Sequence, residues 1–286
     1  MQYLAWRLVN AFLGRAPLQL SYAIAWVCGS VGFAFWPRGR RATLRNYERV
    51  LGTRDAATLR RVGRASLVSY CRYLADFVRL TSLSRDDVLR LCDPGDRLEA
   101  LDAVLERGKG AVIVSMHFGN WDLGASATAA LGYPSSVIVE TSGDRRLNAM
   151  IVGARERMGL KVIPMERMGP SILRTLRANG LVAILADRPV EEGGVEITFF
   201  GERCRVPGGA ARLALRTGAA LVPMAFQRVR SNRPEVTLLA DFTIEVKSTG
   251  DETADIQRIT ENVFQAYERI ILRYPEQWYM FREMWP

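Results

Sequence analysis

Residues 110 to 124 read "GAVIVSMHFGNWDLG". The segment opens on a short β-branched run, which predicts a buried strand. It closes on a glycine, an asparagine and a helical pattern, which predict a turn and a helix cap. Similar units recur downstream as "SSVIVE", "LKVIPM", "GLVAILADR", "GVEITFFG" and "AALVPMAFQRV". Helical stretches such as "GDRRLNAMIVGARERMG", "GPSILRTLRANG" and "PGGAARLALRTG" lie between them, each closed by glycine. Strands alternating with helices of this length predict an α/β fold, with a mostly parallel or mixed central sheet flanked by helices on both faces. The strand-like "PEVTLLADFTIEV" and a last helix over 253–273 complete it.

Upstream, residues 42–108 have helical periodicity, and "SLSRDDVLRL" offers a serine cap followed by early acidic residues. The first 41 residues are the most membrane-like part of the chain. Residues 20–36 carry no charge, with Arg7 and Arg15 before them and Arg38, Arg40 and Arg41 behind. As a helix this run rises about 25 Å, slightly less than a hydrocarbon core. Pro17 predicts a break between two helices, and Tyr22, Trp26 and Trp36 suit a lipid interface. A span, a hairpin lying in one leaflet and a buried helix pair are all open. The expected organisation is an N-terminal membrane element over 1–41 and one α/β domain over 42–286. Were the segment to span, the Arg38 to Arg41 cluster would keep the remainder on the cytoplasmic face of the inner membrane.

The 286 residues are 49% hydrophobic, enough for a full core. The net charge of +9 comes almost wholly from arginine, since Lys109, Lys161 and Lys247 are the only lysines. A basic surface suits nucleic acid, anionic lipid or a phosphorylated ligand. The arginines are scattered along helices with no aromatic nucleic-acid signature, so no nucleic-acid partner is expected. Cys28, Cys71, Cys92 and Cys204 stand far apart, which predicts free thiols rather than a redox pair or a zinc ribbon. With one histidine in the chain, no metal and no bound cofactor are expected.

That histidine, His117, falls at the carboxyl end of a strand, where open α/β sheets bind their ligands. Asn120 would cap the next helix and put Asp122 in its first turn, where the helix dipole favours a carboxylate. Gly119 would permit the tight turn between them. The spacing lets Asp122 accept the proton of one imidazole nitrogen and leave the other as a general base. A capping histidine with an unrelated aspartate fits the same spacing. Asp187 and Arg188, at the end of "LVAILADR", reach the same side of the sheet, or pair with each other.

"HFGNWD" resembles the H-x-x-x-x-D/E motif of the glycerolipid and lysophospholipid acyltransferases. "MHFGNWDLG" is similar to the bacterial branch that contains the lipid A late acyltransferases and the phosphatidylinositol mannoside acyltransferases. "RERMGLKVIP", "LVAILADRP", "GVEITFFGERCRVPGGAARLALRTGAALVPM" and the closing "YPEQWYMFREMWP" follow in that branch's order. The resemblance implies a glycerolipid acyltransferase-like fold and a membrane-bound enzyme using acyl-CoA or acyl carrier protein as co-substrate and a glycolipid as acceptor. It implies that His117 deprotonates a substrate hydroxyl and that Asp122 orients the ring. Arg155, or its neighbour Arg157, would match an arginine at the active-site groove. Asn120, Asp187 and Arg188 would line the binding side. Glu196 would correspond to an acidic residue near the acceptor sugar, although an outward-facing strand glutamate explains it as well.

Overall fold

Pro17 has no N–H to leave unsatisfied, and the helix it starts, α1 (Leu18–Phe35), begins directly after it. Pro37 occupies the first position of α2 (Pro37–Leu51), which ends on left-handed Gly52. Helix α3 (Ala56–Leu80) follows, then α4 (Arg85–Leu91), whose start is a capping box between Ser84 and Asp87. The computed structural model describes residues 12–80, 82–140 and 144–285.

Helix α1 seats Tyr22, Ala25, Gly29 and Phe33 along α3. The two backbones approach so closely that a Cβ on Gly29 would sit 2.6 Å from the Cα of Val68. The expected boundary is at residue 41. It falls inside α2, and α1 is packed into the body instead of standing apart from it. Of the basic residues read as flanking the segment, Arg7 lies outside the described residues.

The α/β part begins with β1 (Cys92–Asp93), α5 (Arg97–Leu105), β2 (Ala111–Ser115), α6 (Trp121–Ala130), β3 (Ser135–Val139), α7 (Arg145–Arg157) and β4 (Lys161–Pro164). It continues with α8 (Met168–Arg177), β5 (Leu181–Leu185), β6 (Val195–Phe199), β7 (Glu202–Val206), α9 (Gly209–Thr217), β8 (Ala220–Arg228), β9 (Val236–Ala240) and α10 (Glu252–Arg273). Seven strands form one mixed sheet in the order β1-β9-β8-β2-β5-β3-β4. All neighbours run parallel except β8 and β9. Strand β2 is central and wholly buried, and its alternation feeds two cores. Val112 and Val114 face the one built with α10, while Ala111 and Ile113 face the one built with α6. The four cysteines are free thiols.

"GVEITFFG" does not join this sheet. It pairs antiparallel with β7 in a separate hairpin packed on α10. Its alternation explains why: Ile197 and Phe199 are buried while Glu196 and Thr198 are exposed, the pattern of a ribbon covered on one face. "PEVTLLADFTIEV" is a strand only over Val236–Ala240.

Candidate active site

Parallel pairing of β2 with β5 sets Ser115 opposite Leu185, and the Ala186 N–H continues the ladder to the Ser115 carbonyl at 2.9 Å. Two residues past the paired positions come His117 and Asp187. The register thus brings together side chains 70 positions apart: His117 Nδ1 lies 2.7 Å from Asp187 Oδ1, and the His117 backbone N–H donates to Asp187 Oδ2 at 3.0 Å. The Trp278 indole adds a third hydrogen bond to Asp187 at 3.1 Å. Burial by itself would raise the Asp187 carboxyl. The His117 ring, its backbone N–H and the indole outweigh that and hold the group below the usual carboxylate range. With Asp187 ionised, the ring proton belongs on Nδ1, and Nε2 is left as an acceptor. The expected His117–Asp122 bond is absent: the carboxylate that orients the imidazole is Asp187. Nor does Asp187 pair with Arg188.

The loop between β2 and α6 is held from several sides. Gly119 has φ of 57°, and a Cβ there would fall 1.9 Å from the Phe226 carbonyl oxygen, so no other residue fits. Its N–H donates to the Gln277 carbonyl at 3.0 Å. Asn120 caps α6 by accepting from the Leu123 N–H, as expected, and its amide donates to Asp76. Tyr279 donates its N–H to the His117 carbonyl at 2.8 Å and its hydroxyl to the Gly119 carbonyl at 3.0 Å. The closing segment is therefore a brace under this loop. Trp121 presents its ring edge-on to the imidazole, with centroids 5.4 Å apart.

Asp122 is buried and has other partners. It accepts from Arg155 Nε at 2.7 Å, from Arg155 Nη2 at 3.2 Å and from the Tyr73 hydroxyl at 2.7 Å. Burial opposes the charge on Arg155, but Asp122 reverses that and raises the guanidinium pKa. Burial and the same carboxylate push the Tyr73 phenol far above its ordinary value, so it remains a donor. Of the two arginines left open, Arg155 meets Asp122 and Arg157 is exposed.

Trp121, Asp122 and Arg155 also line an apolar slot, together with Ala125, Ile138 and Leu181. Its cavity measures about 70 Å³. Pockets that bury a drug-sized ligand measure ~300–1,000 Å³, so this slot is smaller than a site of that kind.

Two expected residues stand apart from this cluster. Glu196 is half-exposed on β6 and pairs with Arg203 at 3.2 Å, touching none of His117, Asp122 and Asp187. Arg188 is exposed and its carboxylate partner is Glu140, at 3.9 Å. Conversely, Tyr73, Asp76, Trp278 and Tyr279 belong to the site without having been singled out. Tyr73 sits on a helix read only for its periodicity, and no local signal marks it. The two aromatics of "QWY" carried a signal only as part of the closing block.

Residues 2–286 match the model of a family described as bacterial lipid A biosynthesis acyltransferase. The phosphatidylinositol mannoside acyltransferase of Mycobacterium tuberculosis is 32% identical over 247 residues, covering 84% of this chain and 75% of that protein. The protein of the same name from Mycolicibacterium smegmatis is 31% identical over 258 residues, covering 84% of this chain and 78% of the relative.

Proposed function

Since the chain belongs to the bacterial lipid A biosynthesis acyltransferase family, we propose that it moves a long fatty acyl group from an acyl-CoA or acyl carrier protein thioester to a hydroxyl of a glycolipid. The acceptor class proposed is a phosphatidylinositol mannoside, by analogy with the activity for which the relatives are named. One observation carries the reading: the only imidazole in the chain has its Nδ1 fixed by Asp187 and stands against Trp121, which lines an apolar slot.

In this reading His117 Nε2 takes the proton of the acceptor hydroxyl as its oxygen attacks the thioester carbonyl. Asp187 stabilises the imidazolium that forms. Collapse of the tetrahedral adduct breaks the carbon–sulfur bond, and the imidazolium returns the proton to the departing thiolate. Asp122 acts one step removed, holding Arg155 and Tyr73 beside the slot, where the guanidinium offers positive charge to the developing oxyanion or to a donor phosphate. Arg157, Arg188 and Glu196 are given no role in bond making.

The protein is proposed to work peripherally at a membrane surface. One side of α1 is packed on α3, while Leu20, Val27, Val31 and Phe35 on its other side are exposed. Spanning would carry Arg60, Arg61 and Arg64 of the adjoining helix towards the hydrocarbon. The side proposed is the cytoplasmic face of the inner membrane.

The test is transfer from labelled palmitoyl-CoA by the purified full chain to a panel of mannosylated phosphatidylinositol, a lipid A precursor and a lysophospholipid, with products identified by mass spectrometry. His117→Ala is expected to slow transfer by about 10²–10⁴-fold with unchanged circular dichroism. An undiminished rate in that variant, or acyl-chain binding with no turnover on any acceptor, would remove the proposal.

A further inference from the structure

A second concavity is distinct from the His117 cluster, although Gln277 and Arg228, which line it, bond Gly119 and Asp76. It is a solvent-open groove of about 1080 Å³ between α1, α2 and α3, and none of His117, Asp122, Arg155 and Asp187 lines it. Its walls carry Arg40, Arg60, Arg61, Arg64, Arg72 and Arg228, while Glu276 is the one carboxylate on them. Arg228 is neutralised by buried Asp76 at 2.6 Å. Among the described residues, no ion pair engages Arg60, Arg61, Arg64 or Arg72. The Nε of Arg72 is buried without a hydrogen-bond partner. So many guanidinium groups around one hollow repel each other unless an anion joins them.

The chemistry of the rim says which anion. Trp26 and Ala34 of α1 line the groove, and about 100° further round the helix from each, Val27 and Phe35 are exposed. Leu20 and Val31 continue that apolar crest. Arg64 places its guanidinium 5.5 Å from the Trp26 ring centroid, joining the basic wall to the apolar edge. A helix lying in a bilayer interface sinks its apolar side roughly 5–10 Å, which brings the lip of such a groove to the level of the phosphates. Neither a nucleic acid nor an acidic carrier protein has use for an uncovered apolar crest beside its charges.

We propose that this groove binds the headgroup of an anionic phospholipid, separately from the catalytic cleft, and so seats the protein on the bilayer through α1. The inference rests on the membrane-surface reading of α1 and is independent of acyl transfer.

The experiment measures vesicle binding by the full chain and by an Arg60→Gln, Arg61→Gln, Arg64→Gln variant. One set of vesicles is pure phosphatidylcholine and the other has a quarter phosphatidylglycerol. Three exposed charges, at roughly fivefold each, predict an affinity for the mixed vesicles lower by about 100-fold, close to that for phosphatidylcholine alone. Wild-type binding is expected to weaken with added salt, and Phe35→Ser to weaken binding to both compositions. Transfer to acceptor dispersed in detergent micelles should be unchanged in the triple variant. Equal affinity of wild type and triple variant for the anionic vesicles would overturn the proposal. So would loss of binding to glycerol 3-phosphate or to acyl carrier protein with vesicle binding intact. Failure of the wild type to acylate any acceptor would remove the proposed function and leave the vesicle result standing.

Discussion

Asp122 and Asp187 are both almost wholly buried, yet their surroundings give them different partners. Asp187 meets the imidazole, a backbone N–H and an indole, so its charge bears on where the His117 proton sits. Asp122 meets a guanidinium and a phenol, and its charge bears on whether Arg155 can be buried at all. The carboxylate five residues from the histidine supports the wall of the slot. The one on the neighbouring strand holds the imidazole. Proximity along the chain says little where a strand end and a helix start point different ways.

The comparison would be tested hardest by Asp187→Asn, which keeps shape and removes charge. It is expected to lower kcat on the order of 10²–10⁴-fold, because the ring loses its fixed tautomer and the imidazolium its counter-charge. The sign of the pH effect follows from the same carboxyl. Its folded-state value lies below the ordinary 3.8, so its contribution to stability is present above that pH and is lost as pH falls through the lower folded value. Acid unfolding of the wild type should therefore steepen below about pH 4, and the variant should lack that component when followed by circular dichroism. A wild-type kcat in Asp187→Asn would erase the distinction drawn between the two aspartates.

Asp122→Ala should act first on stability. It strands Arg155 in a buried site and is expected to cost about 3–5 kcal/mol in denaturant unfolding. Exchanging both partners, Asp122→Leu with Arg155→Met, should recover most of that loss without recovering turnover, since the positive charge beside the slot is gone. If the single variant proved as stable as wild type yet inactive, Asp122 would belong with Asp187 after all. The smallest effect is expected from Glu196→Gln, with turnover changed by less than about twofold and stability by under about 1 kcal/mol, as for an exposed ion pair. A large loss of acceptor affinity in steady-state kinetics would restore Glu196 to the acceptor site.

Several features were legible residue by residue. The β-branched run at 111–115, the Ser84 cap and the Asn120 cap are local, and each formed as read; a helix starts directly after Pro17, and most of the stretch before it lies outside the described residues. Asp187 was visible as a strand-end residue on the ligand side. Its partner was not, because the bond to His117 depends on which strand lies beside β2 and in what register. Glu196 was assigned by resemblance, and the hairpin that carries it gave its side chain to Arg203. Tyr73 and Asp76 were invisible for a similar reason: helical periodicity reports which face is buried and not what a polar group on that face will meet.

By itself the sequence determined the α/β class, the strand-end position of the single histidine and the family, since hydrophobic period, caps and an ordered set of motifs are properties of the chain read in line. The tertiary structure alone decided which carboxylate meets the imidazole, which arginine meets Asp122 and which side of α1 stays uncovered. Those outcomes turn on strand register and helix contacts between residues tens of positions apart, and no local preference encodes them.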